Sequence, residues 1–164
     1  MSEIVVGLDL SPSAGAALKW AAEQARARGQ ILRAVHAVDV SPDFNMALGM
    51  GGVAVPMDPS AMDIPYRAEV AALFDSVQPQ LGWRLHFFSG EAGPALVAES
   101  IGAALLVVGT KEHVGIGRLV SGSVSHYCLS HTQCPVVAVP AASDHGADKD
   151  HDRDRSAADP KAHT

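Results

Sequence analysis

The hydrophobic positions of this chain fall into two patterns, short apolar runs and longer stretches in which apolar residues recur at helical spacing. Five short runs predict strands. Mostly apolar runs are typical of strands buried on both faces of a sheet, and residues 83–88 instead alternate Trp83, Leu85 and Phe87 with Arg84, His86 and Phe88. After the first run, Ser11-Pro12 predicts a helix N-terminus and Gly29 predicts the end of that helix. The predicted strands are residues 4–8, 31–40, 83–88, 105–109 and 135–139.

Helices are predicted between these strands, where apolar residues recur every three or four positions. Apolar faces run through residues 66–77 and 95–101, and a helix-like segment opens at Gly122-Ser123. Strands that alternate with helices predict a parallel sheet with right-handed crossovers. The predicted fold class is therefore α/β, a doubly wound five-stranded parallel sheet with helices on both faces. Such sheets bind ligands beyond the carboxyl ends of the strands, where the strand order reverses.

Two segments depart from this alternation. Residues 41–62 are rich in Gly, Pro and Met and contain GMGGVAVP, which predicts a long loop. Residues 141–164 form an acidic, His-containing tail with almost no large apolar side chains, which predicts disorder. The chain is therefore predicted to be one domain, residues 1–140, followed by a tail.

Composition excludes several classes of function. The chain has 164 residues, 48% of them hydrophobic, and a formal net charge of −6, which disfavours nucleic acid as a partner. No apolar run approaches the roughly 20 residues that a membrane span needs. The first residues, MSEIVVGLD, enter a strand without a signal-peptide pattern, so a cytoplasmic location is expected. Cys128 and Cys134 are predicted to be small buried hydrophobes rather than a disulfide.

The stretch from residue 105 to 140 carries the strongest candidate site. An apolar run ends at Gly109, a glycine-bearing loop follows, and Gly122-Ser123 then opens a helix that includes Ser125. The free N–H groups and the positive dipole end of a helix N-terminus attract phosphate. The simpler structural alternative is that Ser123 is only an N-cap. The sequence GxxxxGK[ST] does not occur, which excludes a Walker-type phosphate loop.

Asp9 ends the first predicted strand and is the second candidate. The carboxyl ends of parallel strands share one edge of a sheet, so its carboxylate should face the same edge as the phosphate loop. There it could bond a nucleobase or a ribose, or hold Mg²⁺. An Asx-type turn is the structural alternative, although Ser11 already supplies a helix cap.

A hydrolase built on Ser123 is a disfavoured third class of function. It would need a histidine such as His113, His126 or His131 as its base, and no GxSxG nucleophile motif is present. His131, near the end of a predicted helix, is explained by the helix dipole.

The order of these features resembles the universal stress protein family over residues 3–140. IVVGLDLSPSAGAALKWA is similar to the first strand, acidic residue and first helix of that family, and VVGT with GSVSHYCLSHTQCPVVAVP is similar to its last part. The nucleotide-binding branch carries a glycine, two residues, a glycine, nine residues and then glycine with serine or threonine. Gly109, Gly122 and Ser123 match this pattern, whereas Glu112 stands at the second glycine position.

The resemblance implies an adenine-nucleotide α-hydrolase-like, Rossmann-like fold and a stress-response sensor or regulator. The implied ligand is an adenine nucleotide, ATP in the first instance, with Mg²⁺ as a possible companion. Asp9 and the backbone of Val38 would place the base and ribose. An enzyme is not implied, and any ATP hydrolysis should be very slow. The residues expected at the phosphates are Gly109, Gly122, Ser123, Val124 and Ser125.

Glu112 leaves alternatives open. A carboxylate in the phosphate loop would repel a triphosphate, which favours a binder of AMP or cyclic AMP, or a dimeric interaction module without ATP binding. The resemblance also implies a homodimer paired through the last strand. Val136, Val137 and Val139 would suit a sheet edge that needs to be covered.

Overall fold

A computed structural model of the chain describes residues 2–38, 64–110 and 123–141. All five predicted strands and the helices between them are present in those ranges, with ends that shift by a few residues. The elements in chain order are β1 (Glu3–Gly7), α1 (Pro12–Arg28), β2 (Ile31–Val38), α2 (Ile64–Asp75), β3 (Arg84–Ser89), α3 (Ala92–Glu99), β4 (Leu105–Thr110), α4 (Ser123–His131) and β5 (Val136–Pro140).

The strands form one parallel sheet in the order β3-β2-β1-β4-β5. From β1 the chain winds outward to β3 on one side, and it then returns past β1 to build β4 and β5 on the other side. The order therefore reverses between β1 and β4. The predicted doubly wound α/β fold is confirmed, and the crevice where such folds bind ligands lies at the carboxyl ends of these two strands.

The sheet has a hydrophobic core on each face. One core packs Ile4 and Val6 of β1 against α1 and α2, and the other packs Val5 against α3 and α4. Alternate residues of a strand point to opposite faces, so the continuous apolar run of β1 supplies both cores. Within the described ranges, no helix is both long enough and apolar enough to cross a membrane.

The ends of α1 form as the sequence predicts. The Ser11 hydroxyl accepts a hydrogen bond from the Ala14 N–H at 3.2 Å, and Pro12 occupies the first turn. Gly29 ends the helix in a left-handed conformation, with φ of 61°. The cap and the terminating glycine thus fix both ends of the helix that leads away from the candidate site.

One detail of the predicted helix at residues 95–101 is wrong. The helix α3 begins at Ala92 and ends at Glu99, and Ile101 is 72% exposed rather than on its apolar face. The chain turns away after Ser100, and Gly102 adopts a φ of +76° there. The apolar spacing put Ile101 on the helix, because residues 95–101 contain no glycine or proline that would mark an earlier end.

Gly109 lies where β4 meets the first turn of α1. A Cβ atom at this position would lie 2.7 Å from the carbonyl carbon of Ser13 and 2.8 Å from the backbone nitrogen of Ala14. Both neighbours are backbone atoms that cannot rotate away. A glycine at this position therefore allows β4 and α1 to touch, and any side chain would separate them.

We expect Gly109→Ala to lower the free energy of unfolding by about 2 kcal/mol, because the added methyl group overpacks a rigid contact. The matched control is Gly15→Ala in α1, where the nearest atom to a new Cβ is the Leu73 Cδ1 at 4.0 Å. That substitution should stabilise by about 0.5–1 kcal/mol, the helix propensity gain. Urea denaturation measures both. Equal stability of Gly109→Ala and the wild type would contradict the close contact.

Candidate functional site

Asp9 follows β1 at the crevice, and its side chain is exposed. Its Oδ1 accepts hydrogen bonds from the Ser11 N–H at 2.8 Å and from the Ser11 hydroxyl at 2.5 Å. The Asx-type turn left open by the sequence is therefore formed. Because both bonds end on one oxygen, the carboxylate is oriented by the chain itself while it faces solvent at the edge of the sheet.

The Val38 carbonyl is engaged within the sheet. It accepts a hydrogen bond from the Gly90 N–H at 2.8 Å, which extends the pairing of β2 with β3 past Ser89. A base placed against this carbonyl would use its second lone pair. Val38 therefore lies at the carboxyl end of β2, and its backbone carbonyl also takes part in the sheet.

The helix α4 begins at Ser123, as the sequence predicts. The side chain of Val124 packs against the core that contains Val5, and Ser125 is 1% exposed. The side chains of these two residues therefore serve packing at this end of the helix. Several predicted features lie outside the described part of the structure: Gly122, Glu112, the loop predicted at 41–62, residues 142–164 and the side chain of Ser123.

A buried histidine lies beside the site and was not among the candidates from the sequence. His36 of β2 is 3% exposed, and its Nδ1 lies 2.7 Å from the carbonyl oxygen of Leu8, the residue before Asp9. Its ring lies 5.3 Å from that of Tyr66 and 5.8 Å from that of Phe87, between centroids. The signal in the sequence was a histidine inside the largely apolar run ILRAVHAV, which also contains Arg33.

The histidines of α4 have structural explanations. The Nδ1 of His131 lies 2.8 Å from the Tyr127 carbonyl oxygen, and its ring stacks on Tyr127 at 4.0 Å between centroids. His126 is exposed. His113 lies outside the described residues. Among residues 2–38, 64–110 and 123–141 there is also no cluster of three or more His, Cys, Asp or Glu that could hold a metal ion.

Comparison with known proteins decides the family. The model described as the universal stress protein family matches residues 1–140. The chain belongs to this family. A universal stress protein of Mycobacterium tuberculosis is 33% identical over 147 residues, which cover 83% of this chain and 46% of that protein. Universal stress protein A homolog 1 of Coxiella burnetii is 30% identical over 141 residues, and the match covers 83% of this chain and 94% of that protein.

The chain thus spans about half the length of the mycobacterial relative. A solved family member from Burkholderia pseudomallei is 28% identical with a TM-score of 0.59. The match covers 85% of this chain and 96% of that one. A universal stress protein in complex with cAMP is 21% identical with a TM-score of 0.57 (84% and 95% covered). One from Archaeoglobus fulgidus in complex with dAMP is 23% identical with a TM-score of 0.55 (85% and 98% covered). The last two share the fold.

Both cysteines of this universal stress protein are free thiols. Cys128 is fully buried in the core between the sheet and α4, and Cys134 is half-buried against the same core. Burial, with a smaller contribution from Cys134, raises the pKa of Cys128 from 9.0 to about 11. Cys128 therefore stays a protonated, apolar packing group at neutral pH, which agrees with the role predicted from the sequence.

The raised pKa of Cys128 gives a pH dependence of stability. The unfolded chain releases this proton near pH 9 and the folded chain near pH 11, so the contribution is complete below pH 9 and declines between pH 9 and 11. We expect the stability of the wild type to fall relative to Cys128→Ala by on the order of 2 kcal/mol across that window. Urea denaturation at each pH measures it. Parallel curves for the two proteins would contradict a buried, protonated thiol.

Proposed function

We propose that this universal stress protein binds an adenine nucleotide at the carboxyl edge of its sheet and acts as a stress-response sensor or regulator. The observation that carries the proposal is the crevice between β1 and β4. An exposed, oriented carboxylate at Asp9 follows β1, and the N-terminus of α4 is the next described part of the chain after β4. Family members of the same fold in complex with cAMP and dAMP support this reading.

The two ends of the nucleotide would meet different chemistry. Asp9 offers a carboxylate whose Oδ1 is held by Ser11, which suits a hydroxyl or amine donor on the ribose or base. The amides of Gly122, Ser123, Val124 and Ser125 would hold phosphate. An anion at a helix N-terminus gains from the free N–H groups and from the helix dipole together.

ATP with Mg²⁺ is the first ligand that we propose. Mg²⁺ commonly binds one or two carboxylates together with substrate phosphates, and Asp9 can supply one of those carboxylates. The second candidate is AMP or cyclic AMP. It is favoured because the related proteins hold nucleotides with a single phosphate, and because Glu112 adds negative charge to the loop that would hold the γ-phosphate.

We infer that binding rather than turnover is the activity and that the protein acts in the cytoplasm. Ser125 turns its side chain into the core, and the Asp9 carboxylate already accepts two hydrogen bonds. A serine hydroxyl is not a general base, and the Asp9 carboxylate is assigned above to the ribose, the base or Mg²⁺ rather than to an attacking water. Hydrolysis of ATP, if any, would therefore be very slow.

We also propose a homodimer formed through β5. Within the described residues, β5 pairs only with β4, so its other backbone edge is available. The side chains of Val137 and Val139 pack toward α1, and those of Val136 and Ala138 pack toward α4. A second β5 paired at this edge would cover it, and would give a dimeric interaction module with or without nucleotide.

The nucleotide proposal predicts a thermal shift. ATP, AMP or cyclic AMP at about 100 times its dissociation constant should stabilise the protein by about 2.7 kcal/mol, a shift of a few degrees in Tm. Ser123→Ala should reduce this shift, because it removes the one hydroxyl that would add to the backbone amides at the N-terminus of α4. The three ligands are compared with and without Mg²⁺.

Ser130→Ala is the matched control for Ser123→Ala. Its hydroxyl donates to the His126 carbonyl at 2.9 Å near the other end of α4, so its nucleotide response should equal that of the wild type. Glu112→Gly should raise affinity for ATP more than for AMP if charge repulsion is the obstacle. No shift with any nucleotide, in the wild type and in Glu112→Gly, would contradict nucleotide binding and favour the interaction module.

The dimer proposal predicts that Ala138→Pro gives a folded monomer. The Leu106 N–H donates to the Pro135 carbonyl at 2.9 Å. In a parallel ladder the backbone groups alternate, so the N–H groups of Val137 and Val139 point toward β4 and the Ala138 N–H points outward. Proline at 138 therefore removes a donor from the free edge alone. Light scattering gives the mass in solution, and Tm reports the fold. A dimer that persists in Ala138→Pro would show that β5 is not the interface.

A further inference from the structure

The imidazole of His36 makes one hydrogen bond in the described structure. Its Nδ1 lies 2.7 Å from the Leu8 carbonyl oxygen. A carbonyl oxygen can only accept, so Nδ1 must be the nitrogen that carries the hydrogen. The bond joins β2 to the residue that follows β1, at the carboxyl edge where the nucleotide is proposed to bind.

This bond fixes a peptide plane that belongs to the site. The Leu8 carbonyl and the Asp9 N–H lie on the same planar peptide unit, so the orientation of one sets the orientation of the other. Leu8 is held on its other side as well, because its N–H donates to the Val35 carbonyl at 2.9 Å. The direction in which the chain leaves β1 is thus determined by β2.

The constraint continues through Asp9 into α1. Asp9 Oδ1 accepts the Ser11 N–H and hydroxyl hydrogen bonds, and the Ser11 hydroxyl in turn accepts the Ala14 N–H at 3.2 Å. His36, the Leu8–Asp9 peptide, the Asp9 carboxylate and the cap of α1 therefore form one connected series of hydrogen bonds. A shift of the Leu8 carbonyl would turn the Asp9 carboxylate.

The other nitrogen of His36 shows that the ring is not explained by packing. Its Nε2 is buried and has no hydrogen-bond partner in the described structure. A buried polar atom without a partner destabilises a fold, and a phenylalanine would fill the space between Tyr66 and Phe87 without that penalty. What phenylalanine cannot supply is the donor to Leu8.

We infer that His36 is a positioning residue of the nucleotide site, which orients the Asp9 carboxylate by donating from Nδ1 to the Leu8 carbonyl. The inference rests on the proposed function for its effect on ligand affinity. Its effect on Asp9 can be measured without any ligand. His36 does not touch the nucleotide, since the ring is enclosed by Leu8, Tyr66 and Phe87.

Three substitutions separate the two nitrogens. His36→Asn keeps a donor at the position of Nδ1, His36→Gln places its amide near the position of Nε2, and His36→Phe keeps only the ring volume. Leu32→Ala is the matched control, because it opens the same core on the same strand away from Leu8. Two quantities are measured in each protein, the hydrogen-exchange rate of the Ser11 amide without ligand and the dissociation constants for AMP and ATP by calorimetry.

We expect His36→Phe and His36→Gln to accelerate exchange at Ser11 and to weaken binding about tenfold, equivalent to about 1.4 kcal/mol. His36→Asn should remain close to the wild type in both. Leu32→Ala should lower Tm and leave both quantities unchanged. Nitrogen NMR of the wild type should find the hydrogen on Nδ1 of His36.

The inference is overturned if His36→Asn behaves as His36→Phe does, or if Leu32→Ala at equal loss of stability weakens binding equally. A hydrogen found on Nε2 alone would overturn it too. Should His36→Phe fail to fold, the comparison of Asn with Gln decides. Should the wild type bind no nucleotide, the proposed function fails, and exchange at Ser11 alone decides whether His36 positions Asp9.

Discussion

The contact between Gly109 and the first turn of α1 is the constraint on which the rest of the site depends. β4 and the first turn of α1 lie beside the crevice, and here their backbones are in contact without an intervening side chain. The width of the crevice is therefore set by backbone contact, which hardly deforms. Gly109 was predicted as a phosphate contact, and the structure gives it a packing role on the same boundary.

Hydrogen bonds then orient the Asp9 side chain, which lies between β1 and α1. The Asp9 carboxylate faces solvent, yet Ser11 holds one of its oxygens and the peptide before it is held by β2. An exposed carboxylate would otherwise sample several rotamers and lose that freedom when a ligand binds. Fixing it during folding moves this entropy cost from binding to folding, which is the physical content of a preorganised site.

The sequence predicted most of the fold because its strongest signals are local. Apolar runs, the Ser11-Pro12 cap and Gly29 each act over a few residues, and the alternation of strands with helices then predicts a parallel, doubly wound sheet. The site was harder, because the bonds that orient it join residues far apart in the chain. The bond from His36 to Leu8 spans 28 residues, and Val38 with Gly90 spans a whole crossover. Asp9 lies at the edge of the sheet where the sequence puts it, but its bond to Ser11 and the bond from His36 to Leu8 depend on the folded arrangement.

At the start of α4 the side chains serve packing and the backbone amides would serve the ligand, so a site of this kind could change its ligand and keep its fold. Val124 packs against the core and Ser125 is buried, so substitutions at either would damage packing before they altered phosphate binding. The backbone amides that would meet a phosphate are the same for any side chain. In the proposed site, discrimination between one phosphate and three would therefore come from charge on the residues that precede α4. Glu112 is the position at which the sequence of this chain departs from the nucleotide-binding pattern, and it adds such a charge.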